Sequence, residues 1–126
     1  MRRLTVLACV CAGLAGCGGD DGDESARSVT VPAGDTLRVV ADEYSFDPRK
    51  VEMEDAGLLR IRLRNAGNLA HNLRLMRDGR DVGGTPTFPG GRTESGRVNL
   101  EPGDYELVCT VADHAELGMH GTLQVE

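Results

Sequence analysis

From residue 28 onward the apolar positions recur every second residue, not at the 3.6-residue spacing of a helix. Leu59-Arg60-Ile61-Arg62-Leu63-Arg64 alternates strictly. Alternation of this kind puts three aliphatic side chains on one face of a strand and three guanidinium groups on the other. It predicts a half-buried strand of an antiparallel sheet. Residues 36–40 and 50–53 read as further strands, with Asp47-Pro48 breaking the chain between them. Leu69, His71, Leu73 and Leu75 form another alternating set, closed by Asp78-Gly79. Glu101-Pro102-Gly103-Asp104 reads as a turn joining strands near 94–100 and 105–111, and a last strand covers about 119–125. Residues 83–91 are rich in Gly and Pro and predict an irregular crossing, and only 112–118 has room for a helical turn. Seven to eight strands in about one hundred residues predict an all-β, Greek-key β-sandwich. Aromatics are few (Tyr44, Phe46, Phe88, Tyr105) and Trp is absent, so the core rests on Leu, Val and Ile.

Residues 1–16 follow a different pattern. Arg2 and Arg3 precede the apolar run Leu4-Thr5-Val6-Leu7-Ala8-Cys9-Val10-Cys11-Ala12, the form of a secretory signal peptide. The run is shorter than the roughly 20 apolar residues of a spanning helix. Leu14-Ala15-Gly16-Cys17 follows and resembles the lipobox of bacterial lipoproteins. That resemblance implies cleavage before Cys17 and a lipid on its thiol. The alternative is an ordinary secretion signal with an incidental Cys17. Residues 18–28 hold Gly and acidic residues with nothing to bury, which favours a solvated tether. The expected organisation is a leader over 1–16, a lipidated Cys17 with an acidic tether over 17–28, and one domain over 29–126.

Charge narrows the partners. The formal net charge is −6, and loss of Arg2 and Arg3 with the leader takes it to −8. Such a balance argues against nucleic acid and for a cationic or mixed partner.

Cysteine usage carries more. Cys9 and Cys11 leave with the leader and Cys17 is taken by lipid, so Cys109 is the one remaining thiol. A lone thiol outside the cytoplasm is either buried and inert or held by something. His114 follows Cys109 after four intervening residues, Met119 follows His114 after four more, and His71 lies upstream at the start of a strand. Two imidazoles, a thiolate and a thioether are the donor set of a blue-copper site. Parity supports their convergence. Cys109 shares a face with Tyr105 and Leu107, His71 with Leu69, Leu73 and Leu75, and Met119 with Leu123 and Val125. The same test turns His120 outward. Catalytic zinc sites use no thioether, and the glycines at 83–84 and 90–91 lack the Lys and helix of a phosphate loop.

Tyr105-Glu106-Leu107-Val108-Cys109, His114, Met119 and Gly121-Thr122-Leu123 together resemble the C-terminal copper loop of small cupredoxins. Tyr44-Ser45-Phe46-Asp47-Pro48 and Asn65-Ala66-Gly67-Asn68-Leu69-Ala70-His71-Asn72 resemble that family's early strands and first histidine. The resemblance implies one type 1 copper ion, with His71, Cys109 and His114 equatorial and Met119 axial. It gives Asn72 the task of bracing the copper loops. Ala112-Asp113 departs from the family, where many members carry Pro-Gly before the second histidine.

The expected function is therefore one-electron transfer by a monomer outside the cytoplasm, not an enzyme. Lipid on Cys17 would attach it to a membrane. Its partner would be a cytochrome or copper enzyme, met through the surface around His114. Two other readings stay open: a copper-delivery protein, and an interaction module on which metal is incidental.

Overall fold

The computed structural model describes residues 27–126. Residues 1–26, with the expected leader, Cys17 and most of the expected tether, lie outside the described residues, while Ser28, expected as the end of the tether, opens the first strand. In chain order the strands are β1 (Ser28–Thr30), β2 (Thr36–Asp42), β3 (Ser45–Asp47), β4 (Lys50–Met53) and β5 (Gly57–Asn65). They continue as β6 (Arg74–Arg77), β7 (Arg80–Gly84), β8 (Thr93–Leu100), β9 (Gly103–Val108) and β10 (His120–Val125). Six of them form one sheet in the order β1-β4-β10-β9-β6-β7, and four form a second, β3-β2-β5-β8. The described residues contain no helix long and apolar enough to cross a membrane.

The alternation at β5 decides which side of the smaller sheet faces inward. Leu59, Ile61 and Leu63 are fully buried, and Leu37, Val39 and Ala41 of β2 join them. From the larger sheet come Val51, Met53, Leu75, Tyr105, Leu107, Leu123 and Val125, which complete one core. Each fully buried Leu or Ile contributes about 1.5–3 kcal/mol relative to exposure. A slip of one residue would expose all three β5 aliphatics, so the core itself sets the register.

Three expectations change. β5 pairs antiparallel with β8 but parallel with β2, and β4 lies parallel to both β1 and β10. Alternation reports one buried face and is blind to the direction of the neighbouring strand, which is why the sheets are mixed. Ten strands are present among the described residues, because β1 and β3 are three residues long and leave little period to read. β7, not expected from the sequence, takes Gly83 and Gly84 from the glycine-rich stretch and pairs with β6 as a hairpin. Its turn carries Asp78 at φ 51° and Gly79 at φ 73°, the two left-handed positions of a type I′ turn.

Tyr105 ties one loop to the sandwich. Its hydroxyl donates to Glu101 O at 3.0 Å and accepts from Glu101 N and Arg77 Nη1, each at 3.1 Å.

The two outer faces differ in charge. Arg38, Arg60, Arg62, Arg64 and Arg97 are all exposed on the smaller sheet, with Arg38 opposite Arg62 and Arg60 opposite Arg97. Among the described residues none of these five forms a salt bridge. The smaller sheet also exposes Asp42 and Asp47, and the outer face of the larger sheet carries Glu52, Asp104 and Glu106 together with Lys50 and Arg74.

Candidate metal centre

The strands stop short of the site. β9 ends at Val108, β10 begins at His120, and β6 begins at Arg74, so Cys109, Met119 and His71 sit just beyond strand ends rather than within strands. Beyond these strand ends the side chains of His71 and Cys109 approach each other. His71 is held by a two-way backbone bridge: its N donates to Phe88 O and Phe88 N donates to its O, each at 3.1 Å. Cys109 N donates to Met119 O at 3.1 Å, and Met119 N donates to His114 O at 3.0 Å. These bonds close residues 109–119 into a tight loop. Residues 112–118 form successive turns rather than a helix, and Ala112 takes a left-handed φ of 44°.

His71, Cys109 and His114 converge. Nδ1 of His71 lies 3.2 Å from Nδ1 of His114, and Cys109 Sγ lies 4.0 Å and 3.7 Å from those two nitrogens. A metal about 2.0 Å from each nitrogen and about 2.3 Å from sulfur, in a trigonal plane, would set N···N near 3.5 Å and N···S near 3.7 Å. The observed triangle fits an ion at its centre. His71 is 0 %, Cys109 1 % and His114 6 % exposed, so the donors are shielded from water and His114 is nearest the surface. Met119 is fully buried at the base of the same loop. His120 is exposed and outside the cluster.

No protein-family profile matches the sequence, and no curated relative matches it. Solved structures do. Reduced auracyanin from Roseiflexus castenholzii superposes with a TM-score of 0.67 at 17% identity, covering 75% of this chain and 98% of that one. Auracyanin A, a "blue" copper protein from Chloroflexus aurantiacus, gives 0.63 at 19% identity, over 76% of this chain and 100% of that one. An azurin from Methylomonas sp. strain J gives 0.65 at 17% identity, over 75% and 99%. The chain has the cupredoxin fold.

Around this cluster, two further side chains tie the loops. Asn72 is 4 % exposed. Its Nδ2 donates to Thr110 Oγ1 at 2.8 Å and Thr87 Oγ1 at 2.9 Å, and its Oδ1 accepts from Thr110 N at 2.9 Å. It therefore links the loops bearing His71 and Cys109. Strict alternation would put Asn72 opposite His71 and Leu69 beside it, but the strand has not yet begun there: His71 and Asn72 are both buried and Leu69 is exposed. Asn65 does the same for residues 65–69: Nδ2 donates to Leu69 O at 2.8 Å and Phe88 O at 3.3 Å, and Oδ1 accepts from Gly67 N at 3.0 Å.

Sequence reasoning missed Asn65 and, more consequentially, Glu43. His71 Nε2 donates to Glu43 Oε1 at 3.1 Å. The N–H of Leu69 holds the Glu43 carboxyl below its ordinary value; desolvation opposes this, and His71 and the N–H of Asn68 add to it. In the sequence Glu43 is one acid in Asp42-Glu43-Tyr44-Ser45, indistinguishable from a solvated turn residue. Tyr44 beside it packs edge-on against the His114 ring at 5.1 Å between centroids.

Proposed function

We propose that this domain holds one copper ion through His71, Cys109 and His114, with Met119 as a weak axial ligand, and carries single electrons between redox proteins. The observation that carries the reading is the buried triangle of two imidazole Nδ1 atoms and one thiol. Bound copper supplies one-electron chemistry by alternating between Cu(I) and Cu(II). Cys109 offers a soft donor suited to the reduced state, and the imidazoles suit the oxidised one. The surrounding bonds, including those of Asn72, resist movement of the donors, so both states share one geometry and little reorganisation accompanies transfer. Burial keeps water from the thiolate.

His114 is the exit toward a partner. Its ring lies nearest the surface, and Leu117 (52 % exposed) and Leu69 (43 % exposed) supply apolar area for a brief contact. The partner is a redox protein, a cytochrome or copper enzyme, and the domain itself performs no substrate chemistry. Export by the leader and lipid on Cys17 would put it outside the cytoplasm, at a membrane; the motif Leu14-Ala15-Gly16-Cys17 supports this.

The test is the visible and EPR spectrum of the Cu(II)-loaded protein. An intense thiolate-to-copper band with narrow copper hyperfine splitting is expected. A colourless protein, or a pale one with wide splitting, removes Cys109 from the ligand set and the electron-carrier reading with it.

A further inference from the structure

A single oxygen, Oε1 of Glu43, accepts three N–H groups: Asn68 N and Leu69 N at 2.8 Å each, and His71 Nε2 at 3.1 Å. The two backbone donors belong to the loop that Asn65 ties down. Gly67 in that loop makes room, because a Cβ there would collide with the Glu43 carboxylate. His71 is wholly buried, so Nε2–H has no water to turn to. Glu43 and His71 are 28 positions apart in sequence, so the contact is a product of the fold and not of local chain geometry.

A neutral imidazole carries one proton, and donation from Nε2 leaves the Nδ1 lone pair free. Nδ1 is the atom turned toward Cys109 and His114. Carboxylates bonded to the far nitrogen of a ligating histidine fix its tautomer and make it a more basic donor. A nearby negative charge also favours whichever state of the centre is more positive.

Resting on the copper reading above, we propose that Glu43 is a positioning residue for the centre. It locks His71 in the Nε2–H tautomer and stabilises the oxidised state over the reduced one, lowering the reduction potential.

Glu43→Gln separates charge from geometry, because one amide oxygen can still accept all three N–H groups. In the copper-loaded protein this variant should keep its blue band and raise the midpoint potential. A tenfold weakening of Cu(II) binding with Cu(I) binding unchanged would raise it by about 59 mV. Gly67→Ala reaches the same contact from the other side by displacing the carboxylate. It should also raise the potential, and adding it to Glu43→Gln should add little. Nitrogen-15 NMR of the metal-free protein should find His71 as the Nε2–H tautomer.

An unchanged potential in Glu43→Gln, beside a blue parent, overturns the electrostatic role. A His71 protonated on Nδ1 in the metal-free parent overturns the positioning role. A parent with no blue band sinks the copper reading instead, while NMR still judges the contact. Should Glu43→Gln fail to fold, Gly67→Ala decides by the same measurements.

Discussion

Replacing Asn72 by alanine removes three hydrogen bonds at once, two donated by Nδ2 and one accepted by Oδ1. A hydrogen bond contributes about 1 kcal/mol net, so the three together are worth about 3 kcal/mol. Thr87 and Thr110 are exposed, and water can take over part of what their hydroxyls lose. A loss of about 2 kcal/mol is the working figure. In a domain of about one hundred residues each kcal/mol lowers Tm by roughly 4–8 °C, so Asn72→Ala should melt about 8–16 °C earlier. Thermal and urea unfolding of the metal-free protein measure this without any contribution from copper. Thr110→Val removes one hydroxyl partner, and a double-mutant cycle with Asn72→Ala should show coupling of at least about 0.5 kcal/mol. A loss below about 0.5 kcal/mol, or zero coupling, would refute the claim that Asn72 ties the two loops.

Cys109→Ala should abolish the coloured Cu(II) form, and retention of colour would exclude the thiolate as a ligand. Met119→Leu should leave copper bound and raise the potential, since losing a weak fourth donor favours the lower-coordinate Cu(I); loss of binding would show that the thioether does more than tune. Arg74 donates to both Asp81 oxygens at 2.9 Å, and this guanidinium holds the Asp81 carboxyl below its ordinary value. A depressed folded value stabilises the protein above the ordinary carboxylate range and loses that stability as pH falls through it. Asp81→Asn should therefore cost about 0.2–1 kcal/mol at pH 7, the small end reflecting exposure of the pair. The cost should vanish in strong acid, and a pH-independent difference in urea unfolding would count against the ion pair.

Much of this was legible because period-2 alternation and the spacing of Cys109, His114 and Met119 are local. Leu59, Ile61 and Leu63 declared their face, and Cys109, His114 and Met119 fall within one short loop. His71 was readable only in that company. What escaped depends on tertiary approach. Parallel pairing of β2 with β5 joins segments whose own sequences carry no mark of direction. Glu43 meets His71 only because two loops fold onto each other, and Gly67 looks like any turn glycine until the carboxylate beside it is seen. Asn72 does not follow strand alternation, because it lies before the strand begins.

The segregation of charge between the sheets makes the molecule an electric dipole, whatever its sum. Five guanidinium groups stand on one outer face, and on the other Glu52, Asp104 and Glu106 outnumber Lys50 and Arg74. In the field of a charged surface such a body rotates before it translates, so an anionic surface can draw in one side of a protein whose total charge it repels. Orientation on approach is then selected at distances comparable to the Debye length, about 8 Å at physiological ionic strength. Added salt weakens that torque as well as the attraction, and the protein arrives less aligned.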